Sequence, residues 1–193
     1  MVFNNMILEK NDSNIIKTAD VLHAGGVVII PCDTIYGLAG IAPDTEERIR
    51  QIKGRGENKP FLVLIKDYSW LSGITEEKVP EGLRSFWPGP LTVILPNREG
   101  GTTGVRIPKD DFLRKLLGEV GKPLYSTSVN RSGSKSLWKI RNIIEEFDRD
   151  VDLIIDDGDK PEALPSTVVD VSRKPFRVLR EGAVKIPPEF LEP

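Results

Sequence analysis

Histidine and cysteine are almost missing from this chain of 193 residues, which has one of each, His23 and Cys32. A single cysteine excludes an internal disulfide framework and any zinc or iron–sulfur centre built on several thiolates. A single histidine is nearly as restrictive, because a Ser-His-Asp triad would have to use it as its base. His23 lies in "NIIKTADVLHAGG", where Ile15, Ala19 and Leu22 recur at helical spacing and Gly25 supplies the stop. A basic side chain there simply meets the negative end of a helix, so chemistry that needs a histidine is not expected. No apolar run approaches the ~20 residues that span a bilayer. The start, "MVFNNMILEKND", lacks a basic stretch followed by an apolar one and does not read as a secretory signal. A cytoplasmic protein without a membrane partner is expected. Neither GxxxxGK[ST] nor GxGxxG followed by an acidic residue occurs, which removes the two commonest nucleotide-binding loops. The net charge is −2, so any affinity for nucleic acid or nucleotide has to come from local clustering.

What is present is an ordinary globular composition, 39% hydrophobic and 29% charged, long enough for one domain over residues 1–193 with a core that needs no staples. Helical periodicity and strand-like runs alternate along it. "VVIIP", "FLVLI", "LTVILP", "TGVRIP", "PLYSTSVN", "VDLIIDDG", "STVVDVS" and "FRVLREGAV" read as strands or extended pieces. The segment ending in His23, together with "PDTEERIRQIKGR", "DDFLRKLLGEVG" and "SLWKIRNIIEEF", reads as helical, and "DYSWLSG" and "EGLRSFW" as short helical pieces. The fold class is α/β: one large twisted sheet flanked by helices, mixed as readily as parallel, with its strand order not legible.

The polar residues gather where loops leave these strands, the usual place for a ligand crevice in an open α/β sheet. "IKGRGENKPFLVLI" sets Lys53, Arg55 and Lys59 directly before an apolar strand. Three cations there are either a solvated helix end or a lip for an anion, and the small hydroxyls and glycines of "PCDTIYGLAG", "TTGVR", "STSVN" and "PSTVVD" suit phosphate or carboxylate. Cys32 beside a strand end reads as a small core residue, and the serines of "STSVN" read equally well as turn formers. The residues alone support an α/β domain with a basic, concave, anion-binding crevice.

The order "GGVVIIPCDTIYGLAG", "KGRGENKPFLVLI", "WPGPLTVIL", "GVRIP", "STSVNRSG", "STVVD" and "RVLREGA" resembles the YrdC family of threonylcarbamoyl-AMP synthases, in its short, single-domain form. The resemblance runs from about Gly25 to about Ala183. It implies a nucleotidyltransferase that joins L-threonine, bicarbonate or CO2, and ATP into threonylcarbamoyl-AMP and pyrophosphate. A tRNA-modifying threonylcarbamoyl transferase complex would then carry the group to an adenosine beside the anticodon, and Mg²⁺ would enter with ATP, bound largely by phosphate oxygens and water. Adenylyl transfer needs alignment and charge stabilisation more than covalent help from the protein, which fits a chain so poor in histidine and cysteine.

By the same resemblance Lys53, Arg55 and Lys59 are the catalytic cations, with Arg55 and Lys59 facing the ATP phosphates. Thr34, Tyr36, Arg106, Ser126 and Ser166 surround threonine, Arg106 pairing with its carboxylate. Thr102, Ser128, Asn130, Ser136 and Arg180 match nucleotide-contacting positions. The chain departs from the family pattern at Cys32, where many members have threonine; at Gly56, where a proline is usual; at Leu64, where some have histidine; and at Glu181, where proline often follows the arginine. Two other activities compete. One is a tRNA- or double-stranded-RNA-binding module without synthase activity, which the mild acidity and the lack of an aromatic, basic stripe disfavour; weak tRNA binding is compatible with either. The other is carbamoyl transfer of the hydrogenase-maturation kind, which uses further domains.

Overall fold

The computed structural model describes residues 6–54, 56 and 60–192. Their strands are β1 (Met6–Glu9), β2 (Val28–Ile30), β3 (Gly37–Ile41), β4 (Leu62–Leu64), β5 (Leu91–Pro96), β6 (Thr102–Arg106), β7 (Leu124–Ser128), β8 (Leu153–Asp156), β9 (Thr167–Asp170) and β10 (Arg177–Arg180). The α-helices are α1 (Ile15–His23), α2 (Glu46–Lys53), α3 (Glu81–Arg84), α4 (Asp111–Val120) and α5 (Ile140–Phe147). All ten strands join one sheet in the order β1-β8-β2-β3-β7-β4-β6-β5-β9-β10. It is mixed: β1 and β2 run parallel to β8, β4 to β6 and β5 to β9, while β3 and β7 are antiparallel to their neighbours.

Two strands escape sequence reading, β1 and β3, and β3 lies inside the sheet. "GLAGI" lacks the β-branched and aromatic residues that favour strands, yet both its glycines are required by close approach. A Cβ on Gly37 would lie 2.8 Å from Ser126 Oγ, and one on Gly40 would lie 2.3 Å from Thr45 Oγ1. The helix expected from Ser136 starts at Ile140 instead. The Leu137 amide bonds the Val129 carbonyl at 2.9 Å, and Asp159 Oδ1 accepts from the Ile140 amide at 2.9 Å, capping the helix from another loop. His23 sits in the last turn of α1, its Nε2 3.0 Å from the Val120 carbonyl, as its sequence position suggests.

Strand alternation divides the core. On one face Val28, Ile30, Ala39, Leu64 and Leu124 pack under α1 and α4 with Leu22, Leu113, Leu116 and Leu117. The opposite face buries Ile29, Tyr36 and Leu38 against Ile49 of α2 and Ile143 and Phe147 of α5. Further along that face, Val63, Val93, Val105 and Val169 pack with Leu83 and Trp87. Each such fully buried aliphatic side chain contributes about 1.5–3 kcal/mol. Among the described residues, helices α1 and α4 cover one part of their face and leave the rest as an open half. No helix among the described residues is long and apolar enough to cross a membrane.

Candidate active site

The open half of that face is the floor of a cleft of about 270 Å³. Its lining follows the pleat: Gly37 from β3, Ser126 and Ser128 from β7, Leu62 from β4, Thr102, Gly104 and Arg106 from β6, Thr92 and Ile94 from β5, Val168 from β9 and Arg180 from β10. The intervening residues of β5 and β6, Val93 and Val105, are buried in the core behind. The cleft is therefore built from sheet surface as well as from loops at strand ends. In β5 and β6, period-2 alternation turns Thr92, Thr102 and Arg106 to the cleft and Val93 and Val105 to the core. The β2–β3 loop closes one wall with Cys32 and Thr34; Pro60 and Phe61 contribute another, and Pro165 and Ser166 a third.

Two arginines dominate the electrostatics. Arg106 is buried, and each of its three nitrogens has a partner: Nε donates to the Gly89 carbonyl at 3.1 Å, Nη1 to Thr34 Oγ1 at 2.9 Å and Nη2 to Asp33 Oδ1. Asp33 is itself held by the Lys109 amide on its second oxygen at 3.1 Å. Arg180 reaches in from β10, where Nε donates to the Ser166 carbonyl at 3.0 Å and Nη2 to the Ser166 hydroxyl at 3.1 Å. Ser166 Oγ lies 2.8 Å from Thr92 Oγ1. Desolvation, and then the positive charge of Arg106, lower the pKa of Arg180 from its ordinary value. Among the described residues, Asp33 is the carboxylate paired with Arg106, and none is paired with Arg180. The floor thus keeps an uncompensated positive charge beside a row of hydroxyls, an arrangement suited to anions.

Eight residues expected at the site line this cleft together: Thr34, Tyr36, Thr102, Arg106, Ser126, Ser128, Ser166 and Arg180. Tyr36 does so from its edge. Its ring runs into the core of the other face, and its hydroxyl donates to the Gly158 carbonyl and accepts from the Asp157 amide, both at 2.8 Å. Arg55 and Lys59 lie outside the described residues.

Lys53 departs from the expectation of a basic lip. The last turn of α2 points it inward, 3% exposed, where its Nζ donates to the Ser128 carbonyl at 2.5 Å, the Asn130 carbonyl at 2.9 Å and Asn130 Oδ1 at 3.2 Å. The chain leaves the helix at Gly54, with φ of 60°, and the Lys53 carbonyl accepts from the Ser132 amide at 2.7 Å. Lys53 is a pin between α2 and the loop after β7.

Asn130 belongs to the same pin. Its Oδ1 also accepts from Ser128 Oγ at 2.5 Å, and its Nδ2 donates to the carbonyls of Arg131 and Ser134. Neither Lys53 nor Asn130 lines the cleft. Ser136 stands outside the lining too, with its buried Oγ lacking a partner. Burial pushes the Cys32 thiol up to about 12, which keeps it protonated and fits the core reading over a nucleophile. Sequence reasoning passed over Asp33, whose signal was an acidic residue directly before Thr34, and Thr92, whose hydroxyl lines the cleft beside Ser166. No group of three or more His, Cys, Asp or Glu among the described residues could hold a metal ion.

The fold and site together define an α/β protein with an arginine- and hydroxyl-lined anion cleft on the open face of a mixed sheet. A family model described as "Telomere recombination", that of the Sua5, YciO and YrdC proteins, matches residues 20–182, and the chain belongs to this family. It is 32% identical over 183 residues to the threonylcarbamoyl-AMP synthase of Pyrococcus abyssi, covering 87% of this chain and 54% of the relative. A crystal structure of P. abyssi Sua5 complexed with L-threonine superposes with a TM-score of 0.84 at 28% identity, over 92% of this chain and 57% of that one. E. coli YciO superposes with a TM-score of 0.83 at 27% identity, over 95% of this chain and 96% of that one. The chain spans about half the length of the curated Pyrococcus relative.

Proposed function

We propose that the cleft makes threonylcarbamoyl-AMP and pyrophosphate from L-threonine, bicarbonate or CO2, and ATP. The observation that carries this reading is the pair Arg106 and Arg180 on one hydroxyl-lined floor, with no carboxylate among the described residues paired with Arg180. The Pyrococcus relative bears the synthase name and has been solved with L-threonine, which supports threonine as a substrate of this cleft. Arg106, already oriented by Asp33, Thr34 and Gly89, offers its remaining N–H groups to the carboxylate; Thr34, Ser126 and Ser166 bond the rest of that substrate. Arg180, Thr102 and Ser128 take the nucleotide, with Arg55 and Lys59 on its phosphates. Asn130 acts through Ser128, whose hydroxyl it holds.

Chemically, the threonine amine adds to CO2 and loses a proton, giving an N-carbamate. A carbamate oxygen then bonds the α-phosphorus while the bond from that phosphorus to the bridging oxygen breaks, and pyrophosphate leaves with the electron pair. Aligning the two anions and neutralising charge is the work asked of these residues. Mg²⁺ enters with the triphosphate as part of the substrate. The labile adenylate passes to a tRNA-modifying transferase complex. The test is pyrophosphate release that requires threonine, bicarbonate and ATP together, with the mixed anhydride detected by mass. Release without threonine, or tRNA binding with no turnover, would refute the reading.

A further inference from the structure

Behind the cleft, on the opposite face of the sheet, four side chains close a ring. Arg50 Nε and Nη2 bond Glu46 Oε1 at 3.1 and 2.6 Å, and the other Glu46 oxygen accepts the Tyr125 hydroxyl at 2.9 Å. The Tyr125 ring lies tilted against Phe61 with centroids 5.6 Å apart, and the Arg50 guanidinium sits 4.9 Å above the Phe61 ring. The remaining terminal nitrogen of Arg50, Nη1, donates to the Gly56 carbonyl at 2.9 Å. An ordinary i,i+4 pair on a helix leaves its arginine in water; the Arg50 side chain is only 10% exposed. Arg50 and Tyr125 hold the Glu46 carboxyl below its ordinary range, so the ring stays charged at neutral pH.

This ring touches the cleft through the sheet. Phe61 lines the cleft, and Tyr125 is the strand neighbour of Ser126, which also lines it. Gly56 is the covalent neighbour of Arg55, and glycine leaves the backbone its greatest freedom. A restraint on its carbonyl from outside therefore has a large conformational range to remove.

We propose that Arg50 is a positioning residue for ATP binding, fixing Gly56 and the cleft-lining Phe61 from the far side of the sheet. The proposal rests on the synthase reading above, in which Arg55 and Lys59 serve ATP.

Two measurements on the full chain test it: the ATP dissociation constant by calorimetry, and the rate of tryptic cleavage at the Arg55–Gly56 bond. Arg50→Met, which keeps the stem and removes every donor, is expected to weaken ATP binding ~10-fold and to speed that cleavage ~10-fold, the loss expected for one hydrogen bond to a charged group. L-Threonine affinity should stay within about twofold. Arg50→Lys, which keeps a cation over Phe61, should recover part of both effects, something a merely structural role would not predict. Should Arg50→Met fold poorly, Tyr125→Phe, which only loosens Glu46, should move both readouts the same way by a smaller factor. Wild-type values for both in Arg50→Met would overturn the proposal, as would faster cleavage with unchanged ATP affinity. A wild-type protein that binds no ATP would sink the synthase reading itself, a result distinct from either.

Discussion

Replacing Lys53 with methionine separates two roles for a cation that sequence alone places at the mouth of the site. In the structure its ammonium is 3% exposed and surrounded by the Ser128 carbonyl, the Asn130 carbonyl and Asn130 Oδ1. Methionine fills similar space but donates nothing, leaving the Ser128 and Asn130 carbonyls short of a donor away from water, while Asn130 Oδ1 keeps the Ser128 hydroxyl. Leaving a buried acceptor without its donor costs about 1–3 kcal/mol, so with two carbonyls affected a loss of roughly 4 kcal/mol is expected. With a urea m-value of about 2 kcal/mol/M, the unfolding midpoint should fall by roughly 2 M. Urea titration followed by tryptophan fluorescence reads this through Trp87, buried in the core. A solvent-facing phosphate ligand behaves oppositely: its removal changes stability by no more than about 0.5 kcal/mol. A Lys53→Met protein with a wild-type midpoint and abolished ATP binding would refute the pin and restore Lys53 to the phosphates.

Arg106→Lys replaces a fork held by Gly89, Thr34 and Asp33 with a point charge. The KM for L-threonine should rise about 10- to 100-fold while that for ATP moves much less; equal losses in both would remove Arg106 from the amino-acid side. Gly40→Ala sets a methyl group 2.3 Å from Thr45 Oγ1, whose hydroxyl already donates to the Ile41 carbonyl at 3.0 Å. Overpacking of about 1–3 kcal/mol should lower the Tm by roughly 5 °C in a thermal melt, and an unchanged melt would contradict the close approach of β3 to its neighbour. The Cys32 thiol, raised to about 12, yields thiolate only as pH climbs toward that value. Iodoacetamide should therefore label the native protein slowly from pH 7 to 9 and the urea-unfolded protein readily; fast native labelling at pH 8 would restore a reactive cysteine.

Most of the secondary structure was legible because its signals are local. Alternation in "LTVILP", the αL-prone glycines after α2 and α4, and the acidic start of α4 each act within a few residues. The convergence of hydroxyls and arginines could be read only as seven blocks in a familiar order, since no local rule says that Thr92 will face Ser166 or that Arg180 will stand near Arg106. Strand β3 was invisible because the property that makes it a strand, room for Ser126 and Thr45 against bare glycine, belongs to its neighbours. Lys53 was misplaced for the same reason. A lysine beside Arg55 reads as surface until the loop after β7 brings three oxygens over it.

By itself the sequence determined the chemistry this chain can offer: no disulfide framework, one histidine kept to a helix end, and a set of donors suited to anions. Periodicity also assigned most of its helices and strands. The tertiary structure alone decided which donors share a floor, which cation is a pin and which aspartate aims Arg106. Those facts depend on strand order and register across distant segments, where pairing energy comes from contacts that no window of the sequence contains.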